Sequence, residues 1–149
     1  MRALLDVNVI IALLDSGHVM HRAASLWLAQ HQEQGWATTA ITENGVVRIM
    51  SQPAYPNHRP AAQVAERLAE ACEHASHQFW PEAVSLLEPG LIAWHRLLGP
   101  RQITDCYLLA LAVAQSGRLV SFDQRITVDL VRGARDQHFS LIEMPSLGG

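Results

Sequence analysis

Apolar and polar positions along the chain switch between two spacings, and each switch marks an element. Ala3-Leu4-Leu5 carries no polar side chain and ends at Asp6, the pattern of a strand buried on both faces. From Val7 to Leu14 apolar residues recur at helical spacing until Asp15-Ser16-Gly17 breaks them. His21 to Gln34 predicts a second helix, with Ala24, Trp27 and Leu28 on its inner side and Gly35 as its stop. Trp36-Ala37-Thr38 predicts a short strand. Thr39 or Ala40 then opens a helix through Met50, and Pro53 to Asn57 closes it as a loop.

Pro60 suits the first turn of a helix over Ala61 to Ala75, whose stripe of Val64, Leu68, Ala71 and Cys72 faces inward. Phe79 to Leu87 predicts a strand-like stretch interrupted by Pro81, and Leu91 to Leu98 a short helix ended by Gly99-Pro100. Thr104 reads as the cap of a strongly apolar helix, Asp105 to Ser116, that Gly117 terminates. Leu119-Val120-Ser121-Phe122 is another buried strand, ending at Asp123. A helix around Ile126 to Arg132 and a strand from Phe139 to Met144 complete the pattern. Strands separated by helices imply an α/β fold with a central, mostly parallel sheet and helices on both faces. No repeat or linker divides the chain, so residues 1–149 are expected to form one domain.

Composition narrows the chemistry. All 11 cations are arginine and lysine is absent, which excludes a P-loop lysine and a Schiff-base lysine in their usual form. The net charge of −3 argues against a broadly basic, nucleic-acid-coating surface but permits a local arginine-lined groove. Cys72 and Cys106 show no zinc-like spacing with each other or with histidine and read as small buried hydrophobes in a reducing compartment. The Met1-Arg2 start leads into an apolar run broken by Asp6 and Asp15, so neither a signal peptide nor a membrane span is expected, and the location predicted is the cytoplasm.

The carboxylates carry the functional signal. A charge directly after a buried strand is costly unless the strand end opens onto a cleft, and two strands end this way, at Asp6 and Asp123. In parallel sheets, ligands bind outside the carboxyl ends of the strands. Asp105 lies in the first turn of the most apolar helix, and Glu43 about one turn into the helix after the second strand. Four carboxylates converging at one sheet edge repel one another, and a hard divalent cation, Mg²⁺ or Mn²⁺, resolves that conflict. Taken singly, Asp105 also fits a helix-start acid, Glu43 a solvated helix residue and Asp123 a simple cap.

These motifs resemble the PIN-domain family, and within it the VapC-type toxin ribonucleases of type II toxin–antitoxin systems. The matching segments are Asp6-Val7-Asn8, Thr42-Glu43-Asn44-Gly45-Val46-Val47-Arg48, Thr104-Asp105-Cys106 and the run after it, and Val120-Ser121-Phe122-Asp123. His18 and His21, ahead of Ala24 and Trp27, also match a segment common in that group. The resemblance implies a PIN-like α/β/α sandwich over residues 1–149 and Mg²⁺- or Mn²⁺-dependent cleavage of RNA. It makes Asp6 and Asp105 the principal metal ligands, with Glu43 and Asp123 completing the acidic pocket. Asn8 and Ser121 would hold the pocket's hydrogen-bond geometry. Arg48, Arg96, Arg101 and Arg125 are candidates to grip phosphates, whereas His18, His21 and His95 read as structural or surface residues. The resemblance further implies a homodimer and a small antitoxin partner. Three other readings remain open from residues alone: a metal-dependent nuclease for DNA or structured nucleic acid, a non-catalytic PIN-like binding module, and a Rossmann-like nucleotide binder. The last is disfavoured because no GxGxxG follows the first strand.

Overall fold

A computed structural model of the chain describes residues 1–144. Its centre is a five-stranded, all-parallel sheet with strand order β3-β2-β1-β4-β5, formed by β1 (Ala3–Leu5), β2 (Trp36–Thr38), β3 (His77–Phe79), β4 (Arg118–Ser121) and β5 (Phe139–Leu141). Five α-helices cover it: α1 (Val7–Leu14), α2 (His21–His31), α3 (Ala40–Met50), α4 (Ala61–Cys72) and α5 (Gln102–Ala114).

Strand alternation splits the core into two layers. Leu4, Ala37 and Leu119 pack on one face with α5, while Ala3, Leu5, Trp36 and Val120 pack on the other with α1 to α4. β1 is central and has no exposed face, which is why its three residues are all apolar. Helix α5 is buried without interruption from Cys106 to Ala112. That burial explains why its sequence is apolar on every side instead of along one stripe.

The strand order decides where a site forms. The chain runs from β1 outward to β2 and β3, then returns to the other side of β1 to build β4 and β5. The direction of winding therefore reverses between β1 and β4, and the crevice outside their carboxyl ends is the natural binding position in such a sheet. Asp6 follows β1, and Asp123 follows β4 by two residues.

Several boundaries differ from the pattern-based expectation. The second helix ends at His31 and continues as a 3-10 turn, Gln32–Gln34, before Gly35. Helix α4 stops at Cys72, three residues before Ala75. The third strand is His77–Phe79 and not the stretch from Phe79 to Leu87, because pairing with Trp36, Ala37 and Thr38 fixes it and Pro81 cannot donate to a ladder. Helix α5 begins at Gln102, so Thr104 lies inside its first turn and does not cap it. The segments 91–98 and 126–132 are loops containing only the 3-10 turns Trp94–Arg96 and Val128–Leu130. They hold each other through the Ala93 N–H on Leu130 O at 2.9 Å and the Arg132 N–H on Leu91 O at 2.8 Å. Their apolar spacing reflects packing onto α5, not helical winding.

Asp15, 6 % exposed, ties the connection after α3 back to the end of α1. It accepts hydrogen bonds from Tyr55 Oη and, at 2.9 Å and 3.0 Å, from Asn57 Nδ2 and the Gly17 N–H. No helix among the described residues is long and apolar enough to cross a membrane.

Candidate active site

Asp6 is the N-cap of α1 and only 7 % exposed. One carboxylate oxygen accepts the Val7 N–H at 2.8 Å, and the other accepts the Ser121 hydroxyl at 2.7 Å. Ser121, fully buried at the end of β4, is a hub: its Oγ also accepts the Asp123 N–H at 3.1 Å and Asn8 Nδ2 at 3.3 Å. A single hydroxyl thus fixes Asp6, Asn8 and the Asp123 backbone relative to one another. The Asn8 Oδ1 atom is buried with no hydrogen-bond partner, an acceptor left available for a ligand or a water in this crevice.

Asp105 projects from the first turn of α5 toward the same place. Burial, then the charges of Asp6 and Asp123, push its carboxyl up to about 7, with Arg125 opposing. Asp6 is also raised, mainly by burial and further by the Asp123 charge, while its bonds from Ser121 and Val7 oppose the rise. Asp123 behaves oppositely. Its hydrogen bonds from the Arg125 guanidinium hold it below the usual range. That pair is bidentate, with Nε on Oδ1 at 3.1 Å and Nη2 on Oδ2 at 3.1 Å. The three aspartates are therefore mutually coupled in one partly dry crevice.

The structure does not bring Glu43 to them. Its carboxylate accepts the Thr38 hydroxyl at 2.7 Å and lies beside Cys72 and His77, on the β2–β3 side of α3. The reason is helical phase. Asn44 and Arg48, four residues apart, face the Asp6 cleft, whereas Glu43 and Val47 share the neighbouring face toward α4. Gly45 permits this arrangement, since a Cβ there would meet Val7 Cγ2 at 2.8 Å. The close approach sets α3 against the start of α1, directly beside the Asp6 cap.

Among the arginines, Arg48 lines the cleft with Asp6, and Arg125 is engaged with Asp123. Arg96 is paired with Asp129 at 3.0 Å on the surface, and Arg101 lies exposed just before α5. His21 is structural, its Nδ1 bonded to Ala12 O at 2.7 Å, and His18 Nδ1 accepts the Met20 N–H at 3.0 Å.

Two further residues shape the site without having stood out in the sequence. Glu82 lines the same cleft, of about 470 Å³, and its carboxylate accepts the Ile41 N–H at 2.7 Å, capping the start of α3. Gln102, 8 % exposed, accepts the Leu98 N–H at 2.7 Å and donates to Arg125 O at 3.2 Å, anchoring the loop that carries Asp123. Glu82 sits in an irregular stretch after Pro81 with no periodic signal. Gln102 was legible only as a polar residue in an apolar helix start.

The donor set fits a hard divalent cation. Carboxylates that raise one another's proton affinity, together with an orphaned amide oxygen, form an oxygen-rich site short of positive charge. Asp6, Asp105 and Asp123 are the residues that would hold such an ion.

Comparisons with known proteins agree with this geometry. Residues 3–128 match the family model described as PIN domain. The chain is 50 % identical over 142 residues to Ribonuclease VapC44 of Mycobacterium tuberculosis (strain ATCC 25618 / H37Rv), covering 95 % of this chain and 100 % of that protein. It is 46 % identical over 125 residues to Ribonuclease VapC39 of the same strain, covering 83 % and 89 %. A chain in the crystal structure of VapBC2 from Rickettsia felis bound to a DNA fragment from their promoter shares the fold, with TM-score 0.54 at 11 % identity over 83 % of this chain and 89 % of that one. A crevice of coupled aspartates at the β1–β4 reversal, carried by sequence this close to two ribonucleases, places the chain in the PIN-domain family, among the VapC ribonuclease toxins of toxin–antitoxin systems.

Proposed function

We propose that the chain hydrolyses RNA phosphodiester bonds with water, using Mg²⁺ or Mn²⁺ held by Asp6, Asp105 and Asp123. The observation that carries this reading is the gathering of Asp6, Asp105 and Asp123 at one crevice, with Ser121 Oγ tying Asp6 to the Asp123 backbone; burial, with that crowding, pushes the Asp105 carboxyl up to about 7. A bound divalent ion supplies Lewis acidity and a hydroxide nucleophile at neutral pH. The chain's own groups do the rest. Ser121 and the Val7 N–H hold both Asp6 oxygens in fixed directions, so the carboxylate needs no reorganisation during the reaction. Asn8 Oδ1 accepts a hydrogen bond from a water in the crevice and orients it. Arg48 grips a phosphate of the substrate backbone along the cleft, and Arg125, exposed over Asp123, offers a second contact. Water, and neither a side chain nor the 2′-hydroxyl, attacks phosphorus and the 3′-oxygen leaves, so the products are 5′-phosphate and 3′-hydroxyl ends. Glu43 stands outside the aspartate cluster and takes no part in it.

Residues 1–149 form one such domain in the cytoplasm on this reading, as a homodimer with a small antitoxin partner. The toxin–antitoxin context is supported by the likeness to the VapC ribonucleases, and the VapBC2 chain adds the shared fold.

The test is cleavage of a panel of structured and single-stranded RNAs beside DNAs of the same sequence, including one RNA with a single 2′-deoxy nucleotide at the mapped cut. RNA-selective cutting that survives the 2′-deoxy substitution and leaves a 3′-hydroxyl is expected. A 2′,3′-cyclic phosphate, or loss of cutting at the deoxy position, contradicts hydrolysis by water. Preferential DNA cutting transfers the function to the DNA-nuclease reading.

A further inference from the structure

The residue excluded from the aspartate cluster has partners of its own. Glu43 on α3, Cys72 at the end of α4 and His77 on β3 each direct one ligand atom to a common point, and these three atoms all lie within 4.8 Å of one another. We propose that Glu43, Cys72 and His77 form a second metal site, chemically distinct from the aspartates, that takes a zinc-like transition-metal ion.

The donor set selects the metal. One thiol sulfur, one imidazole nitrogen and one carboxylate oxygen suit Zn²⁺ and disfavour Mg²⁺, which demands oxygen ligands. Three protein ligands leave a fourth tetrahedral position for water. Bonds of about 2.0–2.3 Å place tetrahedral ligand atoms about 3.3–3.7 Å apart. Separations within 4.8 Å thus close by at most about 1.5 Å, within reach of side-chain rotation.

The surroundings prepare the ligands. Thr38, fully buried at the end of β2, places its Oγ 2.7 Å from Glu43 Oε2 and 2.8 Å from His77 Nε2. Its hydroxyl donates to the carboxylate, and the His77 nitrogen is donor or acceptor to the same oxygen according to its tautomer, so one buried side chain holds both ligands together. The His77 ring also hydrogen-bonds the Cys72 backbone, and burial holds the ring below its ordinary value, which keeps a nitrogen lone pair available. Burial and the nearby Glu43 charge keep the Cys72 thiol protonated, so binding releases that proton. The turn joining Cys72 to His77 is braced by the Glu73 N–H on Glu70 O, the His77 N–H on His74 O and the His74 ring on Ser76 Oγ. Two of the three ligands are thereby held at a fixed spacing.

An ion here clamps α3 to α4 and β3. The neighbouring face of α3 presents Asn44 and Arg48 to the Asp6 cleft. The second site therefore fixes one wall of the first without sharing a ligand with it.

The test uses Co²⁺ as a spectroscopic probe and Zn²⁺ as a competitor on the full chain carrying Asp6→Asn and Asp105→Asn, which disables the aspartate cluster. One equivalent of Co²⁺ is expected to give a near-ultraviolet thiolate-to-cobalt charge-transfer band and intense visible bands of tetrahedral coordination, both erased by stoichiometric Zn²⁺. Cys72→Ser is expected to remove the charge-transfer band, and His77→Gln to weaken Zn²⁺ binding at least tenfold, with circular dichroism confirming that each variant folds. If a variant does not fold, alkylation of Cys72 in the parent protein supplies the same comparison, because bound Zn²⁺ slows it. The proposal is overturned if no thiolate band appears, or if Zn²⁺ neither slows alkylation nor binds more weakly to the variants.

Discussion

Asp6→Asn is expected to lower RNA cleavage by at least about three orders of magnitude while preserving the fold and raising the melting temperature of the metal-free protein. Removing a principal metal ligand forfeits several kcal/mol of transition-state stabilisation, and about 4 kcal/mol corresponds to about a thousandfold in rate. The fold survives because asparagine is also a favoured N-cap and keeps an oxygen for the Val7 N–H. The Ser121 Oγ already accepts the Asp123 N–H and Asn8 Nδ2, so its bond to residue 6 is given up against the relief of the buried charge. Stability rises because a 7 % exposed charge facing Asp123 and Asp105 is gone. Single-turnover cleavage and thermal melts in EDTA give both numbers. Cleavage within tenfold of the unaltered protein removes Asp6 from the site, and a lowered melting temperature contradicts the repulsion.

The second large effect is a pH dependence governed by Asp105. Its carboxyl titrates at about 7 in the fold against an ordinary 3.8, so between those values the native state holds a proton that the unfolded chain has released. Stability then falls as pH rises. The contribution is complete below the ordinary value and is lost as pH passes through about 7. Melting of the metal-free protein should therefore decline relative to Asp105→Asn from about pH 4 to about pH 7 and run parallel above. Asp123, lowered by Arg125, acts only as pH falls below its ordinary value of 3.8. His77, lowered by burial, opposes the trend below 6.5 but is common to both proteins and cancels in the difference. Metal binding runs the other way, since the ion must displace the Asp105 proton. Apparent Mg²⁺ or Mn²⁺ affinity should rise at least about tenfold per pH unit below about 7, more steeply where Asp6, also raised, gives up its proton. Calorimetric titration between pH 5 and pH 8 checks it. A flat affinity, or melting curves that stay parallel throughout, contradicts the coupling of the three aspartates.

Much of this site was legible because it breaks a rule of burial. Asp6 follows a three-residue apolar strand with no exposed face, and such a charge implies a crevice at the strand end. Asp123 was legible for the same reason after β4, and Ser121 through the resemblance of the Val120-Ser121-Phe122-Asp123 segment. The sheet was readable where strands are central and apolar, as at β1 and β4. It was not readable at β3, an edge strand of His77, Gln78 and Phe79 whose position depends on pairing with β2. Segments 91–98 and 126–132 carried helix-like spacing because both lay apolar residues on α5 while bridging to each other. That contact joins residues far apart in sequence, beyond the reach of any local pattern.

Glu43 shows the same limit at the site. Its motif and its helix were readable, but one residue along a helix turns a side chain by about 100°. Which of Glu43 and Asn44 faces Asp6 is decided by how closely α3 approaches α1, and so by Gly45 against Val7. The metal-like grouping with Cys72 and His77 was equally hidden, because its three members come from separate elements joined only in the folded sheet.

The central claim is that metal held by the aspartate cluster cleaves RNA. It is tested most directly by stripping the protein with EDTA, measuring cleavage of a susceptible RNA, and restoring Mg²⁺ or Mn²⁺ in excess. The account predicts no detectable cutting in EDTA and full recovery with either ion, the downstream fragment carrying a 5′-phosphate and the upstream fragment a 3′-hydroxyl. Undiminished cleavage in EDTA would contradict it.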